Sequence, residues 1–156
     1  LVFSTASFAQ KGKFAGSMKK LVGIQYTDSR NIPGLKGWKF HEGSVVGDIN
    51  SNILVDVYRK GTTWLVFFSV QHEENGPYKI EDVLEVKNVQ KGCEIKTITC
   101  RRGSETDVEL VALVKQTNTE LIRQVKKCWR YNRDKHRFEA VSIKNISCIN
   151  EAMEQY

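Results

Sequence analysis

The chain has 156 residues and a formal net charge of +6, with 40% hydrophobic, 10% aromatic and 27% charged residues. That length suits one domain with its own core, and the composition excludes an intrinsically disordered chain, which lacks this many apolar and aromatic residues. No apolar run reaches the roughly 20 residues that span a bilayer; the longest, TTWLVFFSV at 62–70, is about half that and reads as a buried strand. The basic balance favours anionic partners: acidic protein surfaces, anionic envelope components such as lipid head groups, or nucleic acid.

The opening LVFSTASFAQ is uncharged and runs into the basic KGKFAGSMKK. Ser7 and Ala9 stand at −3 and −1 of a signal-peptidase cut before Gln10, and Leu1, Val2, Phe3 and Phe8 suit the end of an apolar signal core. SFAQ is similar to cleavage sites of exported proteins of Gram-negative bacteria. Residues 1–9 are therefore read as a signal-peptide remnant and 10–156 as a single globular domain, with an edge strand over 1–8 as the alternative. This reading places the protein in the periplasm or outside the cell.

Further along, KFAGSMKKLVGIQY spaces Phe14, Met18, Leu21 and Val22 as a short helix would, weakened by Gly16 and Gly23. TDSRNIPGLKGW is a turn-rich connector, and WKFHEGSVVGDI a first strand. NILVDVYRK and TTWLVFFSVQ flank Gly61 and predict a tight hairpin. In its first strand Leu54, Asp56 and Tyr58 share one face and Ile53, Val55 and Val57 the other; its second strand is apolar on both faces, as a central strand is. HEENGP (72–77) is a loop. YKIEDVLEVKNV alternates as a strand, although Ile80, Val83 and Leu84 also fit a helix. CEIKTITCR and TDVELVALVK are strands around the turn RGSE. TNTELIRQVKKCW puts Leu121, Ile122, Val125, Cys128 and Trp129 on one helical stripe with Asn118 or Thr119 as a cap, so a short helix is expected. CWRYNRDKHRFEAVSI reads as a hairpin around NRDK, and ISCINE as a last strand. The sum is a mostly β fold: an antiparallel sheet of about six or seven strands curled into a barrel or sandwich, with one or two short helices.

Four cysteines, Cys93, Cys100, Cys128 and Cys148, include no C-x-x-C pair, which removes a zinc ribbon and a thioredoxin-type motif. In an exported protein they predict two disulfides. Cys93 and Cys100 are too far apart on an extended segment to bridge. The expected pairing is Cys93–Cys128 with Cys100–Cys148, the swapped pairing being the alternative, and each bridge would stabilise by about 2–4 kcal/mol.

The densest cluster of candidate binding residues is KKCWRYNRDKHRF (126–138). Trp129, Arg130, Tyr131, Arg133, Lys135, His136 and Arg137 combine cations with flat rings, the pairing that single-stranded nucleic acid or an anionic glycan uses. The plainer reading turns Trp129 and Tyr131 inward and leaves the cations on the outer face and the turn. His72 and Glu73 of the 72–77 loop join the hairpin tip in the candidate surface. His72, Glu73 and Glu74 lack the second histidine of H-E-x-x-H, and His41 and His136 stand alone, so no metal or other cofactor is expected. Neither G-x-S-x-G nor the P-loop spacing is present, so no catalytic residue is assigned. Of the carboxylates, Asp56 and Asp82 share a parity with apolar neighbours and are the ones expected to be buried.

IEDVLEV, VELVALVK, CWRYN…F and ISCINE together resemble segments of small exported bacterial β-proteins over residues 78–151, a likeness that carries neither mechanism nor functional residues. The leading functional expectation is an exported, non-catalytic binding module of inhibitor or immunity type, acting by surface complementarity. The alternatives are a cytosolic nucleic-acid-binding domain using residues 126–138, and a hydrolase assembled from residues distant in sequence.

Overall fold

The computed structural model describes residues 17–48 and 50–154; the signal-peptide reading of 1–9 and Phe14 fall outside them. After a single 3-10 turn at Met18–Leu21 come β1 (Gln25–Tyr26), β2 (Lys39–Val45), β3 (Ile53–Lys60), β4 (Thr63–Gln71) and β5 (Tyr78–Val86). These pair in the order β1-β5-β4-β3-β2 to make the front sheet. The middle sheet is β12-β11-β9-β6, formed by β6 (Cys93–Thr97), β9 (Leu110–Lys115), β11 (Val125–Asn132) and β12 (Arg137–Val141). The back sheet, β10-β13-β7-β8, is built from β7 (Cys100–Arg102), β8 (Glu105–Thr106), β10 (Leu121–Ile122) and β13 (Ile146–Ile149). A second 3-10 turn follows at Glu151–Met153. All pairing is antiparallel, and one part of the structure curls into a half-barrel. The mostly β architecture is the one the sequence indicates; the additional strands β1, β7, β8 and β10 are pieces of two or three residues, too short to leave a periodic signal.

The layers follow from side-chain alternation, which sends successive residues of a strand to opposite faces. Val55 and Val57 of β3 and Trp64, Val66 and Phe68 of β4 face the middle sheet, where they meet Ile95, Val111 and Tyr131. The alternate residues Tyr58, Leu65 and Phe67 face outward and are covered by Met18 and Leu21 of the 3-10 turn, Tyr26 of β1, and Ile32 and Leu35 of the turn-rich segment. On the far side of the middle sheet, Leu110, Ala112, Val114, Val125 and Cys128 pack against Ile122, Ile146 and the cysteines of the back sheet. β4 lies in the centre of the front sheet and is buried on both faces, as its unbroken apolar run requires. Its hairpin with β3 closes through Gly61 and Thr62, and Gly61 takes φ 59, the conformation a two-residue hairpin asks of its first turn residue.

Asp56 and Asp82 are both buried, as expected. Asp56 accepts hydrogen bonds from the Tyr26 hydroxyl at 2.7 Å and the Ser29 hydroxyl at 2.9 Å, and the Tyr26 oxygen in turn accepts from the Ser69 hydroxyl at 2.8 Å. The carboxylate thereby fastens the covering segment to the front sheet. Its other oxygen, Oδ1, lies over Gly43, where a Cβ would collide with it. Desolvation holds the Asp56 carboxyl above its ordinary range despite the two donors, and burial with the neighbouring Asp56 charge pushes the Tyr26 hydroxyl far up.

Two expectations are overturned. The stretch expected to be a short helix at 118–129 is β10 and the first half of β11. Leu121 and Ile122 pair with Ile149 and Cys148, and β11 pairs on both sides, with β9 and β12. The helical spacing has a local cause. A bulge at Lys126 inserts one extra residue, so Val125 and Cys128 reach the same face of a strand although they are three apart. The second correction concerns the cysteines. Cys100 and Cys148 form a disulfide between directly paired residues of β7 and β13, but Cys93 and Cys128 are free thiols. Cys93 pairs with Lys115 and Cys128 with Ala112, both across the intervening strand β9. Two strand spacings at about 4.8 Å plus the offset along β9 put them far beyond the roughly 7 Å limit for a bridge. They also face different cores.

Candidate binding surface

The hairpin β11–β12 carries most of the candidate residues, and its register decides what each one does. Trp129 pairs with Ala140, Arg130 with Glu139, Tyr131 with Phe138 and Asn132 with Arg137, leaving Arg133 to His136 as the turn. Asn132 Oδ1 accepts from the Lys135 backbone N–H at 3.0 Å, and His136 takes φ 52, which returns the chain into β12. Tyr131 points inward: it is 1% exposed and stacks on Phe68 at 4.2 Å, with Phe138 edge-on to both. No ring face of Tyr131 is left for a base or a sugar. Its hydroxyl is buried without a hydrogen-bond partner among the described residues, and burial, with the acidic side chains nearby, raises its pKa. Trp129 is half-buried and lines a cleft of about 320 Å³ with Lys19, Val83, Leu84, Glu85 and Phe138, between β5 and β12.

The arginines divide into two groups. Arg130 donates to Asp107 at 2.9 Å and Glu109 at 2.7 Å, and Arg133 pairs with the other oxygen of Glu109. The hydrogen bond to Asp107 holds the Arg130 guanidinium more firmly in its charged form. Both charges are thus matched within the molecule. Lys135, His136 and Arg137 are exposed at the tip, and Lys135 comes no nearer than 3.9 Å to Glu139. Arg137 has no ion-pair partner among the described residues.

The 72–77 loop and the hairpin tip meet. His72 Nε2 lies 3.4 Å from Glu81 Oε1, and His136 Nδ1 lies 3.6 Å from Glu81 Oε2. Glu81 reaches both because it is the extra residue of a bulge in β5: Phe68 pairs with Asp82 and Ser69 with Ile80, leaving Glu81 unpaired between them. The neighbouring Asp82 accepts Lys19 Nζ at 2.5 Å and the backbone N–H of Phe138 at 2.7 Å, so it joins the front sheet to edge strand β12 just beside the tip. Within the loop, Asn75 adopts φ 60 and Gly76 N–H bonds to Glu73 O at 2.9 Å, while Gln71 Nε2 holds Gly76 O at 2.7 Å. His72, Glu73 and Glu74 project to solvent.

The two imidazoles sit on different oxygens of one carboxylate, and among the described residues no group of three or more His, Cys, Asp or Glu is arranged to hold a metal ion. His41 lies elsewhere, edge-on to Trp64 at 4.9 Å. Reasoning from sequence named both loops but missed Glu81 as their junction and Asp107 and Glu109 as the partners of Arg130 and Arg133. The three-apart spacing of Ile80 and Val83, both in the outer core, was the trace of the bulge that turns Glu81 toward the histidines.

Fold and surface together define an antiparallel β protein with a composite, charged, two-loop face. No known protein family, no functionally characterised protein and no solved structure matches the chain.

Proposed function

We propose that the protein is an exported, non-catalytic binding module of inhibitor or immunity type that recognises a protein partner with the face made by the 132–137 tip and the 72–77 loop. The observation that carries this reading is the convergence of His72 and His136 on Glu81. Loops distant in sequence become one continuous surface, mounted on paired strands rather than on free chain, and such preorganisation limits the ordering cost of binding. Lys135 and Arg137 offer cations to carboxylates of the partner, and Glu73 and Glu74 offer the opposite charge beside them. The Cys100–Cys148 disulfide, compatible with an oxidising compartment, supports export to the periplasm or beyond. With Tyr131 in the core, the nucleic-acid alternative loses its best stacking ring.

Site-specific photo-crosslinking in the native cell envelope tests the proposal. A crosslinker at Lys135 is expected to give a discrete protein adduct that one at Thr62, in the β3–β4 turn, does not give. Arg137→Glu should reduce that adduct about tenfold or more if its charge is buried against a partner carboxylate. The same adducts from both positions, or an adduct indifferent to Arg137→Glu, would refute this face.

A further inference from the structure

At the far end of β12 from the hairpin tip, strands β7, β10 and β13 and the turns at 103–104 and 143–145 enclose a second cleft, of about 500 Å³. We infer that this cleft binds an oxyanion monoester, a phosphate or sulfate carried on a small apolar body. Its lining has two characters. Arg101 and Arg123 face it together with Ser104 and Asn145, while Leu121 and Ile143 form an apolar side. No carboxylate lines it, and neither arginine has an ion-pair partner among the described residues. That sets them apart from Arg130 and Arg133, which are neutralised by Asp107 and Glu109. Two unpaired guanidiniums on one cleft are the standard means of holding a tetrahedral anion through several charge-assisted hydrogen bonds.

The cleft is preformed. Arg101 pairs in register with Ser147, each next in sequence to a cysteine of the Cys100–Cys148 disulfide, and Arg101 Nε lies 3.4 Å from Ser147 Oγ. The guanidinium is steered from its own side and keeps its terminal nitrogens for a ligand. The two rim turns are tied together by Gly103 N–H to Asn145 O at 2.8 Å, and both residues adopt left-handed backbone, with φ 61 and 60. Glu120 and Glu154 line an adjoining recess that shares Arg101 and Leu121 with this cleft but not Arg123, so an anion is favoured in the carboxylate-free cleft that both arginines line. A bare phosphate would leave Ile143, 46% exposed at the mouth, uncovered and most of the volume empty. An organic ester fills both.

The test is a titration of the oxidised full-length protein, followed by ¹⁵N NMR, with phenyl phosphate, phenyl sulfate, inorganic phosphate and phenol. At least one ester is expected to give saturable shifts at the amides of Gly103, Ser104 and Asn145, and the preferred ester tells phosphate from sulfate recognition. Arg123→Gln, a change at an exposed side chain, should weaken that binding by about tenfold or more, as should Arg101→Gln. Inorganic phosphate should bind about tenfold more weakly than the ester, and phenol not at all. No saturation by either ester at about 10 mM would overturn the inference. So would shifts that survive Arg123→Gln, or equal binding of inorganic phosphate.

Discussion

Replacing both Cys100 and Cys148 by alanine puts the back sheet to its sharpest test. The bond closes a loop of 48 residues. Chain entropy for a loop of that length amounts to about 4 kcal/mol of stabilisation through the unfolded state. Both cysteines are fully buried among Leu110, Ala112 and Ile122, so loss of the sulfurs adds a small packing cost in the same direction. With a urea slope of about 2 kcal/mol/M, the midpoint should fall by about 2 M, and the melting temperature by about 8–16 °C. Urea unfolding monitored by the fluorescence of buried Trp64 measures the shift. A companion thiol titration in denaturant should find two free thiols in the wild-type chain, Cys93 and Cys128. In the native state Cys93, partly exposed, should react first, because burial pushes the Cys128 thiol up to about 11 and leaves little thiolate at neutral pH. A midpoint shift below about 0.5 M with an unchanged slope would refute the cross-link as a constraint on the unfolded chain. Four free thiols, or none, would refute the pairing itself.

Two further substitutions probe the buried polar groups. Tyr131→Phe removes a buried hydroxyl that has no partner among the described residues while keeping the stack on Phe68, so stability should stay level or rise by about 1 kcal/mol in urea unfolding; a loss of more than about 0.5 kcal/mol would show that the hydroxyl is engaged. Asp56→Asn should change how stability depends on pH. Burial raises the Asp56 pKa in the folded state above its unfolded value of about 3.9, so the native form holds the proton more tightly, and the wild type loses stability as pH rises from about 4 through the raised folded value. Glu42, also raised by burial, contributes equally to both proteins. The wild-type-minus-variant stability should therefore be more favourable near pH 4 than near pH 7, and a flat or reversed difference in urea midpoints would sink the assignment.

Strands whose pairing keeps strict alternation were legible in the sequence. The β3–β4 hairpin, its two faces, the central place of β4 and the burial of Asp56 all follow from residues spaced two apart. Legibility failed where the backbone inserts a residue. The bulges at Glu81 and Lys126 each place apolar residues three apart on one face, a spacing that imitates a helix turn. In β5 this left the element ambiguous, and around β10–β11 it reversed the assignment. The turns and the basic hairpin of the candidate face could be named, because turn chemistry is local. Their meeting at Glu81 depends on how the front and middle sheets stack, and the matching of Arg130 and Arg133 by Asp107 and Glu109 on the pairing of β11 with β9; no local pattern encodes either. The same is true of the cysteines: only sheet order shows that β9 lies between Cys93 and Cys128.

The topology also sets an order of assembly. From β2 to β5 each strand of the front sheet pairs with the next in sequence, so those four can zip together from neighbouring hairpins with little loop entropy. The back sheet cannot do so, since β7 must wait for β13, which follows it by most of the middle sheet. As the chain is released from its N-terminal side, Cys100 stands as a thiol beside Cys93 and then Cys128 until β13 delivers Cys148. Oxidation in that interval would trap a pairing that the finished sheets forbid. Correct folding therefore favours late closure of the bond, or an isomerase that reopens early ones.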